Sequence, residues 1–187
     1  MPVLETERLL VRPFEESDLE ACHQLLDIEA WQTGRTLAER ETWLRWTILN
    51  YQALAELSQP PYGDRAVVLK STGELVGSVG FVPSLMPFSR LPSFGDHEAD
   101  DRLTAEFGMF WATRSAQQDH GYATEAAGSL IRYAFGVLNL AHILAWTDYV
   151  NMASQAVMRK LGMSIERNPR PDPPWFQVVG VLQNTPR

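Results

Sequence analysis

The sequence predicts one mixed α/β (α+β) domain, with elements in the order β-α-α-β-β-β-α-β-α-β-β. The chain has 187 residues, of which 45% are hydrophobic, which suits a single core. Short apolar runs typical of strands are interspersed with longer segments of helical period. The sequence contains no internal repeat, heptad pattern or linker-like stretch, so we expect a single domain over residues 1–187.

The first half of the chain predicts a strand, two helices and a hairpin. Residues 8–14 form a strand that Pro13 stops, and a helix starts near residue 17 with apolar side chains at helical spacing. Residues 37–57 form a second helix whose apolar face is broad, so we expect one side on the sheet and another lining a cleft. Residues 66–70 and 75–81 flank a glycine-containing turn and form the hairpin.

The second half predicts further strands and two helices around an irregular segment. Residues 83–102, which contain three prolines and an acidic run, are expected to form an irregular flap near the substrate. Strands are expected at 103–112 and 142–149, with a helix between them that ends near residue 138. Asn151 caps a short last helix that ends at Gly162, and two closing strands follow at 163–166 and 175–182.

Composition limits the partners and the location of the protein. The net charge is −7 and the pI is about 5.1, which argues against nucleic-acid binding and fits a neutral or cationic small molecule, or a basic peptide. The start of the chain lacks a secretory pattern and no run is long enough to span a membrane, so a cytoplasmic protein without a membrane partner is expected. Cys22 is the only cysteine and is expected to be a buried helical thiol, while His23 and His142 have no ligand spacing around them; we expect no metal site.

Residues 118–126 contain the feature around which the function is predicted. An apolar strand leads into a turn containing Gly121, and a helical pattern follows at once. The free N–H groups of a helix start, together with the helix dipole, attract anions such as phosphate or pyrophosphate. Gly121 permits a close backbone approach and small Ala123 does not obstruct it. The alternative interpretation is an ordinary strand–helix joint, because short glycine motifs also occur by chance.

Three motifs resemble the GNAT superfamily of acyl-CoA-dependent N-acetyltransferases, in particular the ribosomal-protein N-terminal (alanine/serine) acetyltransferases. Residues 4–14 read Leu-Glu-Thr-Glu-Arg-Leu-Leu-Val-Arg-Pro-Phe, a typical beginning for that branch. Gln118-x-x-Gly121-x-Ala123 matches the family loop (Gln/Arg)-x-x-Gly-x-(Gly/Ala), and Asn151-x-x-Ser154 follows in the expected order. The resemblance implies a GNAT-like fold: a mostly antiparallel mixed sheet of about seven strands, with a splay between strands 4 and 5, flanked by about four helices.

The resemblance also implies a co-substrate, acetyl-CoA, and a set of residues that bind it. The pyrophosphate is expected on the backbone amides of residues 118–123, and the pantetheine arm between strands 103–112 and 142–149. The residues that the resemblance assigns to coenzyme A binding are Gln118, Asp119, His120, Gly121, Tyr122, Ala123 and Thr124 of the loop, Phe110 and Trp111 of the strand, and Asn151. The family often has Trp and Gly where Gln118 and Asp119 stand. Asp119 is therefore expected to point away from the pyrophosphate or to be offset by Arg114 or His120, and Glu125 to steady the loop.

Glu106 is the first candidate for a catalytic base. It is the only charged residue of the apolar stretch 105–111, and we expect either a raised pKa or a water relay there. The alternatives are a solvated acid at the strand end, or a base among the rival acids Glu98, Asp100 and Asp101. Ser154 resembles a serine that some relatives place near the thioester sulfur, where it could protonate the leaving thiolate. Many relatives carry a Tyr acid four residues later, which Met158 excludes here.

The predicted function is transfer of an acetyl group from acetyl-CoA to a primary amine, either a protein N-terminus or a small molecule. The alternative is a non-catalytic module that binds acyl-CoA; a doubly wound nucleotide-binding protein is disfavoured because its glycine motifs are absent. The acceptor and the choice between monomer and homodimer stay open. Four aromatic residues either wall the acceptor cleft or belong to the core: Trp43, Trp46, Trp175 and Phe176.

Overall fold

Eight strands form one open mixed sheet in the order β1-β2-β3-β4-β5-β6-β8-β7. The structure is a computed structural model that describes residues 1–95 and 101–185. The strands are β1 Leu4–Glu5, β2 Leu9–Arg12, β3 Gly63–Leu69, β4 Leu75–Met86, β5 Thr104–Thr113, β6 His142–Thr147, β7 Ser164–Arg167 and β8 Val178–Gln183. The pairs β1–β2, β2–β3, β3–β4, β6–β8 and β7–β8 are antiparallel, whereas β5 and β6 are parallel.

Four helices accompany the sheet, and local sequence accounts for two of their starts. They are α1 Leu19–His23, which continues as a π-helical segment Gln24–Ala30, α2 Leu37–Glu56, α3 Tyr122–Gly136 and α4 Met152–Lys160. Thr36 and Glu39 form a capping box at the start of α2, and the Asn151 side chain accepts a hydrogen bond from Ser154 N at the start of α4. No helix among the described residues is long and apolar enough to cross a membrane.

The chain divides into two compact units, and the boundaries fall within β4, β5 and α3. The first unit comprises Met1–Phe81 and Trp111–Leu130. Its core gathers side chains of β2, α1, α2, β3, β4 and β5, including fully buried Cys22. Cys22 lies in α1, which confirms the predicted buried helical thiol, and burial raises the pKa of the thiol to about 12.

The second unit comprises Val82–Phe110 and Ile131–Arg187. Its core is an aromatic and aliphatic cluster in which the Phe88 ring packs on Phe176 at 5.4 Å and on Trp146 at 6.1 Å, between ring centroids. Gly108 of β5 lies opposite Leu144 of β6, and no other pairing of these two strands is found in the described chain. The two strands therefore separate beyond this point, as the predicted splay requires.

The structure confirms the predicted mixed sheet and changes the description of one segment. The sheet has eight strands where about seven were expected, because the two-residue strand β1 is too short to show a period in the sequence. The segment predicted as an irregular flap starts as the end of β4, which reaches Met86, and then forms two 3-10 turns, Phe88–Arg90 and Pro92–Phe94. Phe88 and Leu91 are fully buried, so this part of the segment belongs to the core; residues 96–100 lie outside the described chain.

Candidate active site

The turn before α3 presents a row of open backbone amides. The chain takes up left-handed conformations at Asp119 (φ 61°) and Gly121 (φ 80°), and α3 starts at Tyr122. In the described chain the first backbone hydrogen bond into this helix runs from Glu125 N to Gly121 O at 3.0 Å, so the N–H groups of residues 119–124 have no backbone acceptor. Gln118, Asp119, His120 and Gly121 are exposed. The local structure is therefore the predicted anion-binding geometry.

The turn is held by contacts with the N-terminal segment that contains Thr6 and Arg8. No local pattern in the sequence indicated a role for this segment at the turn. Glu125 accepts hydrogen bonds from Thr6 Oγ1 at 2.5 Å, Arg8 N at 2.9 Å and Arg8 Nε at 2.7 Å. Burial by itself raises the pKa of Glu125, but the hydrogen bonds from Thr6 and Arg8 outweigh it and lower the pKa. The expectation that Glu125 steadies the loop has a direct structural basis in these contacts.

Arg8 also supports the turn from outside. Its Nη1 donates to His120 O at 3.0 Å, and its guanidinium lies over the Tyr122 ring at 4.6 Å. His120 stacks on Tyr122 with ring centroids 5.5 Å apart, while its Nδ1 lies 2.7 Å from Gln118 O. Arg8 is therefore the basic side chain of the turn. Arg114, which the sequence analysis offered as an offset for Asp119, instead pairs with Glu29 and Glu74.

The space around Gly121 at the start of α3 is open on one side. A Cβ placed at Gly121 would have Arg8 Nη2 as its nearest neighbour, at 3.6 Å, so one side of this glycine is open. Beneath the turn, β4, β5 and α3 line a shallow crevice with about 190 Å³ of empty space, to which Trp111, Tyr122 and Ala123 contribute. The residues that line the crevice are mostly apolar, so it does not offer polar partners for an anion.

The start of α4 places Asn151 and Ser154 together. Asn151 Oδ1 accepts a hydrogen bond from Ser154 N at 3.0 Å, and Asn151 N donates to Asp148 Oδ1 at 2.7 Å. Both residues are half-buried. The Asn151 oxygen is thus used as the helix cap, which leaves its amide nitrogen for any further ligand. Met158 is fully buried and packs on Gly180, so that position faces the core.

Glu106 has a partner that the sequence did not reveal. Its Oε2 lies 2.5 Å from Nε2 of His142, and the two side chains are 17% and 24% exposed. His142, around which the sequence shows no ligand spacing, therefore has a carboxylate partner from the neighbouring strand. The signal that could have found this pair is the alternation of side chains on neighbouring strands, once the strand order is known.

The rival acids have different surroundings. Glu98 and Asp100 lie outside the described residues. Asp101 pairs with Arg90 and accepts hydrogen bonds from Arg170 Nη1 at 2.8 and 3.0 Å. The hydrogen bonds from Arg90 and Arg170 lower the pKa of Asp101.

Asp64, at the start of β3, is a further carboxylate that no sequence pattern singled out. Burial raises the pKa of Asp64 to about 6, although Arg40 opposes the shift.

The aromatic residues divide between core and surface. Trp43 packs edge-on against Phe14 with centroids 5.9 Å apart, and Phe176 is fully buried, so both belong to the core. Trp46 and Trp175 lie at the surface, with 61% and 60% of their area exposed.

The His23 ring contacts the Asp27 carboxylate in the first unit. Among the described residues, no group of three or more His, Cys, Asp or Glu side chains is arranged to hold a metal ion.

Comparison with known proteins agrees with this architecture. The model of the acetyltransferase (GNAT) domain family matches residues 8–164. An uncharacterized N-acetyltransferase of Bacillus subtilis is 28% identical over 168 residues, covering 86% of this chain and 82% of the relative.

Solved structures share the fold. A ribosomal-protein-S5-alanine acetyltransferase from Vibrio fischeri has a TM-score of 0.71 at 19% identity, covering 98% of this chain and 97% of that one. A ribosomal L7/L12 α-N-protein acetyltransferase in complex with coenzyme A has a TM-score of 0.62 at 16% identity, covering 96% of both chains. With the fold, the turn before α3 and the family match taken together, the chain belongs to the GNAT acetyltransferase family.

Proposed function

We propose that the whole chain acts as one N-acetyltransferase domain, which transfers an acetyl group from acetyl-CoA directly to a primary amine. The observation that carries the proposal is the row of open amides at residues 119–124, braced by Glu125, in a chain of the GNAT family. The acceptor class is a protein N-terminus or a small-molecule amine. The relative solved with coenzyme A and the N-terminal acetyltransferases among the structural neighbours support both parts.

Each proposed binding role uses a feature of the local structure. Gln118, Asp119, His120, Gly121, Tyr122, Ala123 and Thr124 are proposed to hold the pyrophosphate through their amides and the positive end of α3. Phe110 and Trp111 of β5 are proposed to offer backbone groups to the pantetheine amides, since β5 and β6 separate beyond Gly108. Asn151 is proposed to contact the coenzyme through the amide nitrogen that its capping role leaves over.

The chemistry requires a neutral amine and a stabilised leaving group. Acetyl-CoA supplies an activated acyl group as a thioester. A primary ammonium group is largely protonated at neutral pH, so a base must remove a proton before nitrogen can attack the carbonyl carbon. Glu106 is proposed as that base, and Ser154 as the hydroxyl that donates to the departing thiolate. Holding both reactants side by side supplies much of the remaining acceleration, about 7–11 kcal/mol in favourable cases.

The test of the proposal compares three carboxylate variants in a thiol-release assay over a panel of amines and N-terminal peptides. Glu106→Gln removes the base and leaves the turn intact, so we expect kcat to fall by about 10²–10⁴-fold while the Kd for coenzyme A stays the same. Asp101→Asn is the matched control, because Asp101 is already paired with two arginines; it should keep kcat. Full activity in Glu106→Gln together with loss in Asp64→Asn would assign the base to Asp64.

The second candidate is a GNAT-like module that binds acyl-CoA without turnover. The buried, core-facing Met158, at the position where many relatives have a tyrosine acid, favours it. The same assay separates the two: coenzyme A binding by calorimetry without thiol release from any acceptor would reject the acetyltransferase and leave the binding module.

A further inference from the structure

The contact between Glu106 and His142 follows from the register of β5 and β6. These strands are parallel, and Gly108 lies opposite Leu144. Glu106 and His142 each precede the paired residue by two positions, and residues two apart in a strand face the same side. The two side chains therefore meet at the start of the splay, with Oε2 and Nε2 2.5 Å apart.

The pair lies at the edge of the aromatic core of the second unit. The Phe94 ring meets the His142 ring edge-on, with centroids 5.2 Å apart, and Phe94 itself packs on Phe88 at 5.9 Å. Both members of the pair are mostly shielded from solvent, at 17% and 24% exposure. A hydrogen bond in such a setting is electrostatically stronger than one in water.

Two uncharged residues lie next to His142. Gln183 of β8 lies opposite it, and the Phe94 ring meets the imidazole edge-on. Among these contacts of His142, the one with Glu106 is the contact to an ionisable group.

We propose that His142 is the positioning residue of the catalytic base: its Nε2 holds Glu106 Oε2, so that Oε1 is presented to the acceptor amine. This inference rests on the proposed acetyltransferase function. Before transfer, one proton lies between Oε2 and Nε2 and the pair has a net charge of −1. One proton then moves from the ammonium nitrogen to Oε1 and leaves the pair neutral. The amine lone pair forms the C–N bond as the C–S bond breaks. The second N–H proton of the attacking nitrogen passes to the thiolate, through the Ser154 hydroxyl or water, so that coenzyme A leaves as the thiol and the nitrogen becomes a neutral amide.

The kinetic test uses two substitutions of His142. His142→Leu removes the hydrogen bond, so we expect kcat to fall at least tenfold with an unchanged Kd for coenzyme A. His142→Gln keeps an N–H donor near Oε2 and should restore most of kcat. His23→Gln, which alters another histidine–carboxylate contact, is the matched control and should keep the wild-type kcat.

A spectroscopic readout separates this inference from the proposed function. In the protein without substrate, the Nε2 proton bonded to Glu106 should give a downfield proton resonance that disappears in Glu106→Gln. Absence of this resonance in the wild type, full kcat in His142→Leu, or a kcat of His142→Gln no higher than that of His142→Leu would each overturn the positioning role. A protein that shows the resonance but acetylates no amine would retain the pair and reject the acetyltransferase.

Discussion

Replacing Glu125 by Gln tests whether the brace between the N-terminal segment and the turn before α3 controls coenzyme A binding. The substitution removes one negative charge from the first helical turn, beside the proposed pyrophosphate site. Coulomb's law alone predicts tighter binding of an anion after this change. The structure predicts the opposite, because Glu125 holds Thr6 and Arg8, and Arg8 in turn holds His120 O.

The expected magnitude follows from the contacts that are lost. An amide at position 125 can still accept from Thr6 Oγ1 or Arg8 N, but it loses the charged contacts with Arg8 Nε at 2.7 Å and Nη2 at 2.6 Å. The Arg8 side chain is 43% exposed, so each contact is worth about 0.5–1 kcal/mol rather than the value of a buried charged pair. Because the turn is also strained by the left-handed Asp119, a loss of about 1–2 kcal/mol lowers the population of the binding conformation. We expect the Kd for coenzyme A to rise by about 5–30-fold.

The assay is isothermal titration calorimetry with coenzyme A on the wild type and Glu125→Gln. Glu74→Gln is the control, because Glu74 is also an exposed partner of an arginine, Arg114, rather than of the turn in the described part of the chain. The Kd of Glu74→Gln for coenzyme A should match that of the wild type. If Glu125→Gln binds coenzyme A as tightly as the wild type or more tightly, the turn does not depend on this brace and the simple charge argument holds.

Two further predictions concern the turn glycine and the buried charges of the first unit. Gly121→Leu and Gly73→Leu place the same side chain at φ values of 80° and 75°, so both variants should lose comparable stability, about 1–2 kcal/mol. Calorimetry should find sharply weakened coenzyme A binding only in Gly121→Leu. Equal binding by the two variants would show that coenzyme A does not bind at this turn. Asp27→Asn leaves the buried Arg40 without its counter-ion and should cost about 3–5 kcal/mol in urea unfolding at pH 7, against about 0.5 kcal/mol or less for the exposed Glu41→Gln. Burial raises the pKa of Asp27, but hydrogen bonds, chiefly from Arg40, outweigh it and lower the pKa in the folded state, so this stabilisation is present above about pH 4 and the difference between wild type and Asp27→Asn should shrink as the pH falls further. A difference that grows towards acid pH would contradict the assignment of charge to this pair.

Local signals in the sequence were sufficient for most elements. Pro13 directly follows β2, Gly73 has φ 75° in the hairpin turn, and Gly162 has φ 81° after α4, as the predicted strand end, turn and helix end require. The Asn151 cap is confirmed at the level of a single hydrogen bond. Each of these features depends on residues a few positions apart, so the sequence carries them directly.

The contacts of Glu125 and of Glu106 are of a different kind. Glu125 meets Arg8 across 117 positions and Glu106 meets His142 across 36, so neither contact leaves a local pattern. Both depend on the sheet order and on the strand register, which single-sequence periodicity does not define. The buried Phe88 was hidden for a related reason: the prolines around it indicate irregular backbone, while its burial depends on a distant partner, Phe176.

Three acids considered above, Glu125, Asp101 and Glu106, differ in how many donors already bind their oxygens, and this difference separates structural carboxylates from a potential base. Both Glu125 oxygens are engaged by Thr6 and Arg8, and Asp101 binds two guanidinium groups. A proton placed on such a carboxylate would displace a charged hydrogen bond, which costs about 1.5–3 kcal/mol for each contact in a shielded setting. In the described part of the chain, the hydrogen bond of the Glu106 carboxylate is made by Oε2. Its Oε1 can therefore take a proton without displacing a donor. Because both of its oxygens accept hydrogen bonds, Glu125 can hold the turn but is a poor base. Glu106 is bonded to His142 through Oε2, and this contact orients Oε1.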